Sequence, residues 1–241
     1  LTPAGEAVLS EGRKLLAGAG QLEALAQQFA TGWEPSLMVI IDGILPLSPI
    51  LLGLRQMAEE RVPTRIQVKV EFLHGVQYRF EKDQADIMLV KDYEPHPLLK
   101  AEELPTIECI LCVAKNHPLA AQKKISINEL QTHIELSVQD SSDRGDDRHM
   151  FGGERVFRLS GFIAKKEALL MGLGFGWMPS FLVEHELKSG TLAEVDYVGG
   201  SRYAFTPRLV SRVEKSTGKA AQKLMQALKD NIAARHGSSA S

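Results

Sequence analysis

The sequence predicts an α/β fold built from two Rossmann-like lobes and preceded by one long helix. Apolar runs of strand length alternate with amphipathic helical stretches, and this alternation occurs in two successive units. Alternating strands and helices are typical of a parallel sheet with helices on its faces. A third observation, a seven-residue apolar repeat near the start, sets the long helix apart. At 241 residues the chain is long enough to give both lobes a core.

The first 31 residues carry the signals of a single helix. Thr2 is a good N-cap, and Pro3 suits the first helical position because its missing amide hydrogen would have no partner there. The apolar repeat indicates a seam against another helix; it consists of Val8, Leu15, Leu22 and Phe29. We therefore expect residues 1–31 to be a linker and dimerisation helix that follows a lost N-terminal module, since the chain does not begin with Met. A helix folded back on its own domain is the alternative.

The first lobe is predicted from residues 36–113 and 206–236. Its strand patterns occupy residues 37–41, 66–72, 85–90 and 107–113, and its helical patterns follow Pro46 and cover residues 76–82. We expect the chain to return to this lobe through a strand at 205–212 and a closing amphipathic helix. Residues 237–241 are predicted to be a disordered tail.

The second lobe is predicted from residues 114–205. Ser126 and Glu129 form a capping box for a short helix that ends at Gln131. Strand patterns occupy residues 134–138, 156–159, 175–178 and 192–198, and helical patterns occupy residues 162–173 and 179–188. Residues 139–153 are polar and are predicted to form a loop.

The composition is that of an ordinary globular protein. Apolar residues make up 44% and charged residues 24%, and the formal net charge is −2. The chain therefore lacks the basic excess expected of a nucleic-acid-binding domain. It has neither a membrane-spanning apolar stretch nor a secretion signal pattern, so we expect no membrane association and a cytoplasmic location.

Cys109 and Cys112 have the C-x-x-C spacing of redox and metal sites. Their surroundings are strand-like, however, and residues three apart on a strand point to opposite faces. No second Cys or His pair with zinc-ligand spacing accompanies them. We predict two reduced, buried structural cysteines and no metal site.

The sequence offers no catalytic or cofactor motif. No serine lies in a G-x-S-x-G elbow, and the seven histidines lack metalloprotease spacing. Gly172, Gly174 and Gly176 follow a predicted helix and enter a strand, which is the reverse of a dinucleotide fingerprint. We therefore expect no cofactor and no enzymatic activity.

Three stretches resemble LysR-type transcriptional regulators. Residues 1–7, LTPAGEA, resemble the start of the family's linker helix, and residues 173–187, from LGFGWMP through FLVE to Leu187, resemble its late regulatory-domain signature. Residues 116–119, NHPL, resemble the family's residues at the first crossing between lobes. Together with the order of strands and helices, the resemblance covers nearly the whole chain.

The resemblance implies two lobes of the periplasmic-binding-protein type II kind, with a small-molecule effector in the cleft between them. It further implies a homodimer or homotetramer, DNA binding through the missing N-terminal domain, and RNA polymerase as a further partner. A solute-binding protein of a transporter is the alternative function for such a fold. A transferase using the same cleft is disfavoured because no acid–base or nucleophile pair is visible.

Ligands of open α/β sheets bind outside the carboxyl ends of the strands, which selects the candidate effector-binding residues. Asp42 would accept hydrogen bonds from a ligand or else cap the following helix, and its charge argues against a dianionic ligand at that end. Lys91 is either a cleft cation or a solvated residue. Phe162 would stack on a ligand ring or pack in the core, and Met178 would face the cleft or pack inside. The full set is Asp42, Gly43, Ile44, Leu73, His74, Lys91, Ser141, Gly161, Phe162 and Met178.

The sequence departs from the family's pattern at two places in this candidate site. Residues 73–80, LHGVQYRF, stand where many members have a turn rich in Gly, Ser and Thr. Asp42 stands where many members carry Ser or Thr. An Asp at this position resembles the pattern of a branch of the family that includes regulators of purine and allantoin metabolism.

Residues 143–149 are predicted to form a solvated loop whose charges pair with one another.

Overall fold

The computed structural model describes residues 2–140, 142, 148–213 and 218–238. The first half of this part contains α1 (Pro3–Thr31), β1 (Ser36–Asp42), α2 (Ser48–Glu59), β2 (Arg65–Glu71), α3 (Gly75–Lys82), β3 (Ile87–Val90), β4 (Leu99–Glu103) and β5 (Ile107–Ala114). A short 3-10 helix (Pro118–Ala121) follows. The second half contains α4 (Ile127–Gln131), β6 (Glu135–Val138), β7 (Val156–Leu159), α5 (Phe162–Leu170), β8 (Phe175–Pro179), α6 (Ser180–Ser189), β9 (Leu192–Glu194), β10 (Arg202–Phe205), β11 (Arg208–Arg212) and α7 (Lys219–Ser238).

The described strands form two sheets, and each sheet is the centre of one lobe. The first sheet has the order β2-β1-β3-β11-β4, with β1 parallel to β2 and β3 and with β11 antiparallel to its neighbours. The second has the order β10-β5-β8-β6-β7, with β9 also paired to β5. We call these the first and second lobes. Two mixed sheets thus replace the two parallel sheets of the prediction.

The predicted lobe boundary at residue 113 is wrong. Strand β5 pairs with β8, β9 and β10, so it belongs to the second sheet. The chain crosses between lobes at residues 104–106 and returns at residues 206–207, where the predicted single strand 205–212 is split between the two sheets. The two crossings touch: Thr106 Oγ1 lies 3.1 Å from Thr206 Oγ1, and Leu104 N–H donates to the Pro207 carbonyl. They form a two-stranded hinge.

Residues 116–119, which the resemblance places at a lobe crossing, lie within the second lobe. His117 is the N-cap of the 3-10 helix, where its ring Nδ1 accepts a hydrogen bond from Leu119 N–H. The sequence pattern did not reveal this 3-10 helix, β4 or β10. The two strands are short and rich in charged and partly exposed residues, so they lack the apolar run that marks a buried strand.

The last helix closes the first lobe. Its buried face, with Leu224 and Leu228 fully inaccessible, joins the same core as α2. Glu34 fixes the start of α7, because its carboxylate accepts hydrogen bonds from Ala220 N–H and Ala221 N–H at 3.0 and 2.7 Å. An acceptor there satisfies amides that the first helical turn leaves without partners. The helix continues through residues 237 and 238, which the sequence pattern assigns to the tail; residues 239–241 lie outside the described part.

The first helix has the predicted extent. Thr2 Oγ1 accepts a hydrogen bond from Gly5 N–H at 3.2 Å, as an N-cap does. Val8 and Leu15 of the apolar repeat are 73% and 76% exposed, so the described part of the seam faces outward. The side chains of Leu22 and Phe29 lie outside the described residues. Among the helices that the structure describes, none combines the length and apolarity needed to cross a membrane.

Both cysteines are buried in β5 as reduced thiols, and neither forms a disulfide. Burial, reinforced by the nearby Glu194 charge, raises the pKa of the Cys112 thiol to about 12. A thiol with such a pKa is a poor nucleophile at neutral pH. A structural role for the pair follows.

Candidate functional site

The loops that follow β1, β2 and β3 face the second lobe across a narrow cleft. Its innermost part, which we call the inner cavity, is lined from the first lobe by Asp42, Ile44, Leu73 and Lys91. Residues of the second lobe complete it: Glu135, Leu136, Ser137, Val138, His149, Met150, Phe162, Lys165, Trp177 and Tyr203. The inner cavity has a volume of about 20 Å³, which is room for about one water molecule.

Asp42 ends β1 and is only 3% exposed. Its carboxylate accepts hydrogen bonds from Ile44 N–H (3.1 Å) and Lys91 N–H (3.4 Å). It therefore orders its own loop and does not cap α2, whose N-cap residue is Leu47. Desolvation by burial raises the pKa of Asp42 from 3.8 to about 7, although the hydrogen bond from Ile44 N–H and the nearby Lys91 charge oppose the rise. Asp42 is thus a carboxyl group whose charge changes near neutral pH.

Lys91 follows β3 and is buried, with 7% of its surface exposed. Its Nζ lies 5.3 Å from the Tyr203 ring centroid and 5.6 Å from that of Phe205, both in β10 of the second lobe. It also lies 3.5 Å from Asp92 Oδ2. A desolvated ammonium group over aromatic faces makes cation–π contacts. Lys91 is therefore a contact between lobes, and the solvated alternative is wrong.

The second lobe contributes two further buried charges that the sequence did not single out. Glu135, at the start of β6, accepts a hydrogen bond from Phe151 N–H at 3.1 Å. Lys165 on α5 places its Nζ 5.6 Å from the Phe162 ring centroid. Both are at most 5% exposed. Gly176 makes room for this lysine, since a Cβ there would lie 2.8 Å from Lys165 Cε.

An aromatic wall closes the second-lobe side. The His149 ring stacks on Tyr203 with centroids 3.9 Å apart and an interplanar angle of 7°. The indole Nε1 of Trp177 donates to the His149 carbonyl at 3.1 Å. The prediction placed His149 in a solvated loop, whereas it lines the inner cavity; residues 143–147 of that loop lie outside the described residues.

A second space, which we call the outer cavity, opens beside Phe72 and has a volume of about 370 Å³. The Phe72 ring fits between a glycine of each lobe. A Cβ on Gly43 would lie 2.1 Å from Phe72 Cε1, and one on Gly161 would lie 2.8 Å from Phe72 Cζ. The ring centroid lies 6.2 Å from that of Phe162. The two glycines allow the strand-end loops of the lobes to close on one aromatic side chain.

Asp140, two residues after β6, binds the N-terminus of α3 across the cleft. Its Oδ1 accepts from Gly75 N–H at 2.9 Å, and its Oδ2 accepts from His74 N–H at 3.2 Å and lies 3.3 Å from His74 Nδ1. Leu73, just before, has a φ of 53°, which is uncommon for a residue with a side chain. A helix N-terminus favours anions, and here a carboxylate of the opposite lobe occupies it.

The predicted site residues fall into five groups. Asp42, Ile44, Leu73, Lys91 and Phe162 line the inner cavity, while Gly43 and Gly161 line the outer one. His74 contacts Asp140. Met178 is fully buried in the hydrophobic core. Ser141 lies outside the described residues.

The prediction missed six residues of the site, and all six have polar side chains. They are covered by residues of the opposite lobe or by the core of their own lobe. They are Glu135, Ser137, Asp140, His149, Lys165 and Tyr203. A sequence signal existed for Asp140, because it follows a strand carboxyl end, as the selected Ser141 does. Glu135 and Lys165 are residue types that usually lie at the surface, and no local sequence pattern indicates that they are buried.

Comparisons with known proteins agree on one family. Residues 45–233 match the family model described as LysR substrate binding domain. The chain is 26% identical over 201 residues to the probable HTH-type transcriptional regulator YhaJ of Escherichia coli, covering 80% of this chain and 66% of that protein. It is 25% identical over 222 residues to the uncharacterized HTH-type transcriptional regulator YeeY of the same organism, covering 90% and 71%. The chain thus spans about two thirds of the length of these relatives.

Solved structures share the fold. The regulatory domain of MetR, a LysR family regulator from N. meningitidis, has a TM-score of 0.66 at 13% identity, covering 83% of this chain and 94% of that chain. Full-length LysG from Corynebacterium glutamicum with bound effector Arg has a TM-score of 0.64 at 18% identity, covering 97% and 79%. With its family model matched over residues 45–233, this chain belongs to the LysR substrate-binding domain family of transcriptional regulators.

Proposed function

We propose that this chain senses a small-molecule effector in the cleft between its lobes and transmits the binding to promoter DNA through an N-terminal DNA-binding domain of the whole protein. The observation that carries the proposal is the set of buried ionisable side chains at the inner cavity: Asp42 and Lys91 from one lobe, Glu135 and Lys165 from the other. Buried charges are costly to maintain, so their concentration at one interlobe site favours a binding role.

The size of the inner cavity implies movement. About 20 Å³ cannot hold an effector, so the lobes must separate about the hinge at residues 104–106 and 206–207 to admit one. Charges of both signs from both lobes would then bind a small polar molecule that carries donors and acceptors at opposite ends. The ligand would bind the closed arrangement of the lobes more tightly than the open one. It would therefore shift the protein toward the closed arrangement, and a regulator requires such a shift.

A screen on this chain tests the proposal. Purines, ureides, organic acids and amino acids are added separately, and a ligand of the folded state raises the melting temperature by mass action. The variants Lys91→Met and Lys165→Met keep much of the side-chain volume and remove one buried charge each, and circular dichroism establishes that each variant folds. They should nevertheless lose the shift, whereas Lys115→Met, at an exposed position of the second lobe, should keep it. If all three variants kept the shift, the effector would bind elsewhere.

The whole protein provides the second test. It should protect a promoter from cleavage in a footprint, and the effector should change the footprint. Asp42→Ala combined with Phe162→Ala should abolish this change while leaving the effector-free footprint intact. An unchanged response in this double variant would contradict the assigned cleft.

We infer further that the chain forms antiparallel dimers. Each lobe exposes one apolar side chain on an edge strand and another on, or at the C-terminal cap of, the helix next to that strand along the chain. They are Val70 (46%) and Leu51 (53%) in the first lobe, and Phe157 (46%) and Met171 (74%) in the second. In a dimer with two-fold symmetry, the first patch of each copy would be buried against the second patch of the other copy. The exposed seam of α1 would join dimers into tetramers.

Sedimentation of single variants tests this assembly. Met171→Glu should produce monomers, because it places a charge in a buried apolar contact. Val198→Glu is the matched control, since Val198 is also an exposed apolar residue of the second lobe (63%) but lies outside both patches. Equal sedimentation of the two variants would contradict the proposed interface.

The remaining roles follow from membership of a regulator family. We propose a cytoplasmic location, no catalytic activity, and RNA polymerase as a further partner at the promoter. The relatives support these roles because they are transcriptional regulators, and for the same reason they do not favour a transporter's solute-binding protein.

A further inference from the structure

A third cavity lies at the hinge and has a volume of about 650 Å³, larger than the inner and the outer cavities. We call it the hinge cavity. It is lined by both interlobe crossings, including Leu104 and Pro207, by the start of α2 and by α6. Its size falls within the range of small-molecule sites, whereas the inner cavity is far smaller.

The charged side chains at the hinge cavity already have ion-pair partners. Within the described part of the chain, four charged residues line it, and each is in a solvent-exposed ion pair: Glu184 with Lys188 at 2.5 Å, and Glu108 with Arg202 at 2.9 Å. Arg202 also pairs with Glu194 at 2.7 Å. The remaining wall is mostly apolar side chains and prolines. A charged ligand would have to compete with these existing partners and would find little else than apolar wall, while an uncharged apolar ligand could use that wall directly.

We propose that the hinge cavity is a second ligand site, distinct from the interlobe cleft, for an uncharged and largely apolar small molecule such as a substituted aromatic. The ligand would contact both lobes and both crossings, so its affinity depends on the angle between the lobes.

One loop connects the two sites. Asp42 and Ile44 line the inner cavity, while Leu45 and Pro46, the next residues, line both the outer and the hinge cavities. Phe181 of the second lobe also lines both of these. A ligand at the hinge is thereby placed against the loop that carries Asp42, and binding at either site should alter affinity at the other.

Binding of 2-naphthol, measured by isothermal titration calorimetry, tests the site with a defined uncharged probe. Ile232→Trp on α7 and Leu187→Trp on α6 each place a large ring against the cavity from opposite lobes. Each should weaken 2-naphthol binding by about tenfold or more, because the added ring occupies the ligand's volume. Ala233→Trp is the matched control: it adds the same ring at the next position of α7, which is exposed.

The charge of the ligand is tested separately with 2-naphthoate and 2-naphthylmethylamine, which should bind at least about tenfold more weakly than 2-naphthol. Circular dichroism and melting temperature establish that each variant folds. Absence of 2-naphthol binding, equal binding of the charged probes, or affinity unchanged in both tryptophan variants would overturn the proposal. None of these outcomes bears on effector binding in the cleft, which the lysine variants test on their own.

Discussion

Asp140 of the second lobe accepts a hydrogen bond from Gly75 N–H, the first residue of α3 in the first lobe, at 2.9 Å. The carboxylate therefore occupies the anion position that a helix N-terminus provides. This contact ties the two lobes together at a point separate from the hinge crossings. An anionic effector group would have to displace Asp140 to reach the same amides.

Replacing Asp140 with Ala should loosen this closure. A hydrogen bond to a charged group contributes about 1.5–3 kcal/mol, so the Gly75 amide should exchange its hydrogen about tenfold faster or more. Hydrogen exchange measured by mass spectrometry or NMR checks this. Asp86→Asn is the control, because Asp86 accepts from Met38 N–H within the first lobe and should affect only the start of β1. Unchanged exchange at Gly75 would show that Asp140 does not hold the lobes.

Asp42 should make stability fall as pH rises from about 4 to 7. In the unfolded chain this carboxyl titrates near 3.8, but in the folded chain its pKa is about 7. Across that window the unfolded state loses a proton that the folded state retains, which favours unfolding as pH increases. The expected contribution between pH 4.5 and 7.5 is about 3 kcal/mol, as an order of magnitude.

Urea unfolding of wild type and Asp42→Asn across this pH range measures that contribution. The Asn side chain does not titrate, so the difference in unfolding free energy between the two proteins should change with pH. If both proteins gave parallel curves, Asp42 would titrate normally in the folded state.

Gly43→Ala should destabilise the protein through Phe72. The added Cβ would lie 2.1 Å from Phe72 Cε1, so the ring must move, at a cost of about 1–3 kcal/mol. In a Phe72→Ala background most of this penalty should disappear, and the double-mutant cycle gives the coupling. Gly12→Ala is the control, since a Cβ there meets nothing within 4 Å. An identical penalty in both backgrounds would place the clash elsewhere.

Cys109 and Cys112 should be inert in the folded protein. Burial raises the pKa of the Cys112 thiol to about 12, and the thiolate is the reactive form. Titration with a thiol reagent at about pH 8 should detect neither cysteine until denaturant is added, and then both. Rapid labelling of the folded protein, or a disulfide formed with mild oxidant, would contradict the structural role.

The sequence determined most of the elements and the edges on which the candidate site lies. Strand periodicity located β1, β2, β3, β6 and β8 to within a few residues, because alternation and apolar runs are local properties of the chain. The rule that ligands bind at strand carboxyl ends then selected Asp42, Leu73 and Lys91, which line the inner cavity.

Only the tertiary structure decided which residues meet across the cleft. The assignment of β5 to the second sheet depends on pairing with β8, β9 and β10, about 60–100 residues away in the sequence. The contacts of Asp140 with α3 and of Lys91 with Tyr203 likewise join residues of different lobes. Burial of a charged side chain is set by the surfaces that fold over it. No local pattern in the sequence records those surfaces, which explains why Glu135 and Lys165 were missed.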